Sequence, residues 1–286
     1  MSDIAKLLLR SGPCWDSPAW LRVYLAGLKN PVSRLLLLAL RIKFSPAVLE
    51  NIRASALPEL EKAALFSGAM NLFRAGTAFK TTAAARSPLT DTALLAKARP
   101  GALIVETGVS DGISALGLLG QAAGAEVLLS DLQAGFPYVG GPLCTRYYGT
   151  DGAYLSLKFP LFLLCTGRRS APPAGAPEVS LLNPLISGQF PAVKLAAFDI
   201  FSGALPRKAD IIKCANVLNL QYFSSAEIRR AVENLAVNLN EGGWLFISQN
   251  NPKYKEGEAY LALRKEGGRL ALSEEKNGHE LLSFFK

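Results

Sequence analysis

From Gly101 onward the chain alternates short apolar runs with amphipathic stretches, and this alternation restricts its fold more than any other feature. Leu103–Thr107 reads LIVET, Glu126–Ser130 EVLLS, Ala192–Phe198 AVKLAAF, Ala209–Cys214 ADIIKC and Trp244–Ser248 WLFIS. Each run has the length of a strand and is too short for a buried helix. Ile113–Ala123 is built of small and apolar residues that suit a helix. Ser224–Leu239 places Ile228, Val232, Leu235, Ala236 and Leu239 on one face, behind a Ser224/Glu227 capping-box pattern. Strands separated by helices pair in parallel and are covered on both faces. The expected fold is therefore α/β, with a doubly wound, mainly parallel, Rossmann-like sheet.

Residues 1–98 lack strand-like alternation and read as an N-terminal helical cap, with the core domain spanning 99–286. Ser17-Pro18 and Ser45-Pro46 have the cap-plus-proline form of helix starts. The preferred reading of Trp20–Ile42 is a buried helix pair; the weaker alternative is a basic, aliphatic segment lying at a membrane surface. An insertion at about 133–191 is too long for an ordinary connection between strand and helix. Within it, Leu143–Tyr148 and Ala153–Leu157 flank Asp151-Gly152 as a β-hairpin. The insertion suits a substrate surface or a homodimer contact equally well. A second hairpin is expected around Gly267-Gly268.

The chain has one histidine, His279, among 286 residues. Any Ser-His-Asp or Cys-His machine must use it, and a multi-histidine metal site is impossible. His279 lies in the polar run Lys276-Asn277-Gly278-His279 and is expected at an exposed turn. Only thiolate- or carboxylate-rich metal sites remain, and because Cys14, Cys144, Cys165 and Cys214 form no C-x-x-C pair a zinc ribbon or thioredoxin motif is also out; no metal ligand is assigned. Scattered cysteines without a secretory leader suit a reducing cytoplasm. The longest apolar runs fall short of the roughly 20 residues that span a bilayer.

The strongest chemical signal is Glu106-Thr107-Gly108-Val109-Ser110-Asp111-Gly112, between the first strand and its helix. An acid at a strand end followed by G-x-x-x-G allows a tight turn with close ligand approach. Asp131 closes the second strand, where a carboxylate can accept from both hydroxyls of a ribose. Asp199 closes the third, placed to meet the edge of an adenine. The dinucleotide fingerprint G-x-G-x-x-G fails at Ser110, and no P-loop pattern is present.

On these residues the chain resembles the class I S-adenosylmethionine-dependent methyltransferases, over about Leu103 to Asn250 with the insertion excepted. Asp210–Asn219, Tyr222-Phe223 and Gly242–Ile247 are particularly similar to a segment of chemotaxis-receptor methyltransferases. The resemblance implies S-adenosylmethionine as cofactor, with Glu106, Gly108 and Gly112 cradling its methionine part. Val109, Ser110 and Asp111 complete that loop. It implies further that Asp131 with Leu132 holds the ribose, that Asp199 with Ile200 meets the adenine, and that Asn216 follows the fourth strand. The family's loop commonly carries a middle glycine, where this chain has Ser110-Asp111.

Methyl transfer from a sulfonium arrives preactivated, so the protein mainly orients and desolvates the nucleophile, and no histidine is required. No catalytic residue is singled out; Tyr138, Tyr147, Tyr148, Tyr222, Asn250 and Tyr254 lie in segments able to reach the methyl group. The expected reaction is methyl transfer to an oxygen or nitrogen of a small-molecule or lipid-like acceptor. An RNA or protein methyltransferase is the alternative, prompted by a net charge of +8. Against it, the basic residues are interleaved with bulky aliphatics, not with aromatic stacking platforms. The [DNS]-P-P-[YF] motif of base amino-methyltransferases is replaced by Cys214-Ala215-Asn216-Val217, and no cysteine fits cytosine C5 methylation. A non-catalytic scaffold with the same fold is the third reading.

Overall fold

The computed structural model describes residues 11–73, 84, 86–149 and 154–285. In chain order, β1 (Gly12–Pro13) precedes helices α1 (Pro18–Gly27), α2 (Pro31–Leu40), α3 (Ala47–Ala54) and α4 (Glu59–Leu72). Next come α5 (Pro88–Leu95), β2 (Leu103–Thr107), α6 (Leu116–Gln121) and β3 (Glu126–Asp131). The insertion holds β4 (Gly135–Val139), β5 (Thr145–Tyr147), β6 (Tyr154–Phe159), β7 (Phe162–Arg169) and β8 (Glu178–Ser180). The chain continues through α7 (Pro184–Gln189), β9 (Lys194–Ala197), β10 (Ala209–Ala215), α8 (Ser225–Val237) and β11 (Leu239–Asn250). It ends in β12 (Glu258–Glu266) and β13 (Arg269–Lys276).

These elements form two compact units, one of Met1–Ala75 with Gly135–Leu185 and one of Gly76–Ala134 with Ile186–Lys286. The division differs from the expected boundary at 98/99 in two ways. First, α5 belongs to the second unit, because Leu94 packs with Ile104 of β2 and Leu118 of α6. Second, the insertion is no appendage of the core domain; it completes a body with the N-terminal helices. The Arg53 guanidinium of α3 donates to the carbonyls of Ser180 and Leu182 at 2.8 and 2.7 Å. The Asn183 amide donates to Ala63 O and Ser67 Oγ of α4 at 3.2 and 3.1 Å. Two-residue β1, in a region expected to be wholly helical, pairs with β7 at Gly12↔Leu163.

In that first unit an antiparallel sheet runs β1-β7-β6-β5-β4-β8. β5 and β6 pair through Thr145↔Lys158 and Tyr147↔Ser156; the Asp151-Gly152 turn expected between them lies outside the described residues. The preferred reading of Trp20–Ile42 as a buried pair is overturned. Leu21, Tyr24 and Leu37 are buried, but Val32, Leu35, Leu36, Leu38 and Leu40 of α2 are all more than half exposed.

The second unit contains a sheet of order β13-β12-β11-β10-β2-β3-β9. β9, β3, β2, β10 and β11 are parallel, and β12 and β13 add an antiparallel meander. Side chains of alternate residues point to opposite faces. Leu103, Val105, Ile212 and Cys214 meet Ile228, Ala231 and Leu235 of α8 on one face. Ile104 and Ile211 meet Leu94 and Leu118 of α5 and α6 on the other. The sheet is thus doubly wound. Ser224 Oγ accepts from Glu227 N–H, and Glu227 accepts from Ser224 N–H, closing the capping box of α8. From β2 the chain steps outward to β3 and β9, then returns past β2 to β10 and β11. The direction reverses between β2 and β10, and a crevice opens at such a point beyond the strands' carboxyl ends.

Candidate functional site

A cavity of about 450 Å³ occupies that crevice. In sheet order it is lined by Asp199 and Ile200 after β9, Asp131 at the end of β3 with Leu132 beyond it, Thr107 at the end of β2 with Gly108 and Ser110 beyond it, Asn216 after β10, and Asn250 at the end of β11 with Asn251 beyond it. Adjacent strands lie about 4.8 Å apart, so these groups are spread over roughly 19 Å.

The loop after β2 is held by its backbone. Gly108 and Val109 N–H donate to Ser130 O at 2.8 and 3.3 Å. Gly108 adopts φ +74°, and a Cβ there would come within 2.1 Å of Val217 Cγ2. Both conformation and space therefore require glycine at 108. Ser110 N–H donates to Asp131 Oδ2 at 2.7 Å, tying the loop to the end of β3. Ser110 itself adopts φ +57°, a left-handed conformation that costs a residue with a Cβ about 1–2 kcal/mol. Asp111, buried, accepts from Ile113 N–H at 3.3 Å as the chain enters its helical turn.

Burial holds the Asp131 carboxyl above the ordinary aspartate range, with backbone N–H groups of Ser110, Gln133 and Leu132 pulling the other way. Asp199 accepts from Phe201 N–H at 2.9 Å and Ser202 Oγ at 2.5 Å. A carboxylate has about four acceptor positions, so each of these acids retains capacity for a ligand. Two hydroxyls lining the crevice, Thr107 Oγ1 and Ser110 Oγ, are buried without a protein partner. On the β10–β11 side, Asn216 (φ +60°) donates to Asn250 Oδ1 at 2.8 Å and accepts from Asn250 N–H at 2.7 Å. Asn250 also donates to Arg86 O at 2.8 Å, bringing the segment before α5 to the cavity.

Of the residues named from the sequence, Gly108, Ser110, Asp131, Leu132, Asp199, Ile200 and Asn216 line the cavity. Val109, Asp111 and Gly112 shape the loop behind it. Glu106 is directed elsewhere. It shares a sheet face with Ile104, and its carboxylate lies 3.0 Å from Lys213 Nζ, which is also 2.7 Å from Asp91 Oδ1 on α5. All three side chains are at most 4% exposed. Burial and the neighbouring Asp91 raise the Glu106 pKa against the pull of Lys213. Burial alone would lower the Lys213 pKa, but the two acids raise it overall.

Among the six candidate methyl-facing groups, Tyr222 and Asn250 line the cavity. Tyr138, Tyr147 and Tyr148 belong to the first unit. Tyr254 is buried, donating to Gln249 Oε1 at 2.6 Å. Arg86, Gln249 and Asn251 line the cavity from outside every stretch marked in the sequence, while Thr107 and Asn219 lie within marked stretches but without an assigned role. The polar run Gln249-Asn250-Asn251, directly after an apolar strand, was the available signal.

His279 corrects an expectation. It is 1% exposed, stacks on Tyr254 at 6.5 Å, and accepts from Leu281 N–H through Nδ1 at 3.1 Å. Burial pushes its pKa down to about 4. Cys214 is a fully buried core thiol pushed up to about 12 by burial. Among the described residues no group of three His, Cys, Asp or Glu could hold a metal ion, and no helix is long and apolar enough to cross a membrane.

No protein-family model and no curated protein matches the chain. Among solved structures it is similar to a TehB-like SAM-dependent methyltransferase from Corynebacterium glutamicum, at 17% identity and TM-score 0.33 over 57% of this chain. An amino pentose methyltransferase from Micromonospora echinaspora, in its SAM-bound form, gives 16% identity and TM-score 0.33 over 62% of this chain. An O-methyltransferase family protein from Burkholderia thailandensis gives 14% and 0.35 over 70%. The chain spans 63%, 61% and 43% of the lengths of these three proteins. The reading of the site therefore rests on its own residues.

Proposed function

We propose that the protein is an S-adenosylmethionine-dependent methyltransferase acting on an oxygen or nitrogen of a small-molecule or lipid-like acceptor. The observation that carries this reading is Asp131: its carboxylate lines the switch-point crevice and is locked to the Gly108–Ser110 turn one strand away. The residues suit the cofactor. Asp131 and Asp199 offer acceptors for ribose and adenine donors, Phe198, Ile200, Phe201 and Phe223 add apolar lining, and Thr107 and Ser110 offer hydroxyls that lack partners. When bound, the cofactor supplies an activated methyl group. The work left to the chain is to bind, orient and desolvate. In this reading the Asn216–Asn250 pair holds the ends of β10 and β11 in fixed register beside the acceptor, and Tyr222 closes the same region.

Calorimetric titration with S-adenosylmethionine tests the cofactor, and absence of heat at millimolar ligand would remove the reading. Asp131→Asn should weaken binding by about 1–3 kcal/mol, since a charged acceptor in the crevice is lost. Transfer of labelled methyl to a panel of amines, phenols and lipids then separates an enzyme from a binding protein of the same fold.

A further inference from the structure

We propose that α2 of the first unit is a membrane-surface element, whose outward aliphatic face inserts into the headgroup region of an anionic bilayer. A helix on a globular unit ordinarily turns its apolar stripe inward. In α2 the stripe is reversed. Leu37 alone is buried, while Val32 is 78% exposed, Leu35 72%, Leu36 61%, Leu38 56% and Leu40 51%. At 100° per residue, Val32, Leu35, Leu36 and Leu40 form one continuous outward arc. The helix is preformed: Asn30 Oδ1 accepts from Val32 and Ser33 N–H at 2.9 and 3.3 Å, and Arg41 ends it in a left-handed conformation.

The apolar surface continues beyond the helix. A Cβ on Gly12 would lie 2.3 Å from Arg41 O, and Cys14 N–H donates to Leu161 O at 3.0 Å. The end of α2 therefore adjoins the β6–β7 hairpin tip, where Leu161 is 69% exposed and Phe162 42%. Trp15, half-exposed, donates its backbone N–H to Lys43 O at 3.2 Å, just past the end of α2, and sets its ring edge-to-face on Trp20. Indoles favour the boundary between water and hydrocarbon.

Charge selects the occupant. Between Asp16 and Glu50 the sequence holds Arg22, Lys29, Arg34, Arg41 and Lys43 and not one acid. Arg22 pairs with Glu61, and Asp16 is met by Lys158 at 3.2 Å. Lys29 and Arg41 bracket α2 at its two ends and Arg34 lies on its flank, away from Val32 and Leu36; none of the three forms an ion pair among the described residues. A two-fold packing of α2 on its copy would bring the exposed cations at its ends and flank close to their own copies. An anionic lipid surface satisfies them and the leucines together. A ten-residue helix is about 15 Å long, half of a bilayer's hydrocarbon core of about 30 Å, so it lies in the interface and does not span it.

The test is co-sedimentation of the full chain with vesicles of phosphatidylcholine, with and without phosphatidylglycerol, at low and high salt. Partitioning should require phosphatidylglycerol and weaken with salt. Lys29→Glu/Arg34→Glu should lower it by at least 25-fold, taking about fivefold for each charge removed from the surface. Leu35→Gln/Leu36→Gln should lower it at least tenfold. Both variants alter exposed side chains, so their thermal midpoints should match the parent. Three results would overturn the assignment: no sedimentation with anionic vesicles, equal sedimentation with neutral ones, or a dimer in solution that Leu35→Gln/Leu36→Gln dissociates.

Discussion

Replacing Lys213 with methionine isolates the buried Asp91–Lys213–Glu106 cluster. Methionine keeps most of the apolar stem and removes the charge. In the parent, Nζ lies 2.7 Å from Asp91 Oδ1 and 3.0 Å from Glu106 Oε1, with every partner at most 4% exposed. At an effective dielectric of about 20, each attraction is on the order of 5–6 kcal/mol before desolvation is subtracted. Removing one partner of such a cluster typically costs about 3–5 kcal/mol, because the remaining charges stay buried and uncompensated. The loss should depend on pH in a definite sense. Without Lys213, the pKa of Glu106, already raised by burial, should rise further. A carboxyl raised in the folded state keeps its stability below the unfolded pKa and loses it as pH rises through the folded one. Urea unfolding should therefore show the largest deficit near pH 8 and a smaller one near pH 5. Exchanging all three groups for apolar residues, Asp91→Leu/Glu106→Met/Lys213→Met, should recover most of the loss. A deficit at pH 8 below about 1 kcal/mol, or one that grows on acidification, would refute the reasoning.

Four shorter expectations follow from other parts of the molecule. Because the pKa of His279 falls to about 4 on folding, the unfolded chain binds the extra proton between that value and the ordinary one near 6.5. Stability should fall as pH drops through this window by up to about 3 kcal/mol. His279→Asn, which retains an acceptor for Leu281 N–H, should flatten that part of a urea-based pH profile. Gly108→Ala should cost about 2–4 kcal/mol from left-handed strain plus overpacking against Val217. Adding Val217→Ala should restore the overpacking share alone, as read by a double-mutant cycle in chemical denaturation. Ser110→Gly should stabilise the fold by up to about 1 kcal/mol, while calorimetry should show weaker S-adenosylmethionine binding if the hydroxyl serves the ligand. Finally, because burial raises the Asp131 pKa, cofactor affinity should begin to decline on acidification above the usual aspartate range, and Asp131→Asn should lose that dependence.

The parallel strands were legible because each is a short apolar run bounded by turn residues, and Asp131 and Asp199 were legible because each closes such a run. Glu106 shows where that reasoning stops. Its position beside the glycine turn was clear, but alternation along β2 sends its side chain to the face of Ile104, under α5, and the buried cation opposite it lies more than a hundred residues away at Lys213. The unit boundary was hidden for the same reason: the Arg53 bonds to Ser180 and Leu182 have no local signature. His279 was misread because hydrophilic neighbours say little about one ring that stacks on Tyr254. In α2, nearly continuous leucine suggested burial, while the sequence contained no sign of which side would be left uncovered.

The first unit is assembled from two stretches of chain separated by the start of the second, and this orders events at the ribosome. Gly12 finds its strand partner only at Leu163. At roughly 5–20 residues per second, Gly12 emerges some 8–30 s before its strand partner, and the end of α4 at Leu72 about 5–18 s before it. Throughout that interval Gly12–Pro13 has no strand to pair with. The helical segment cannot complete its unit by itself, and a chain released before about residue 185 would lack the strands that finish it.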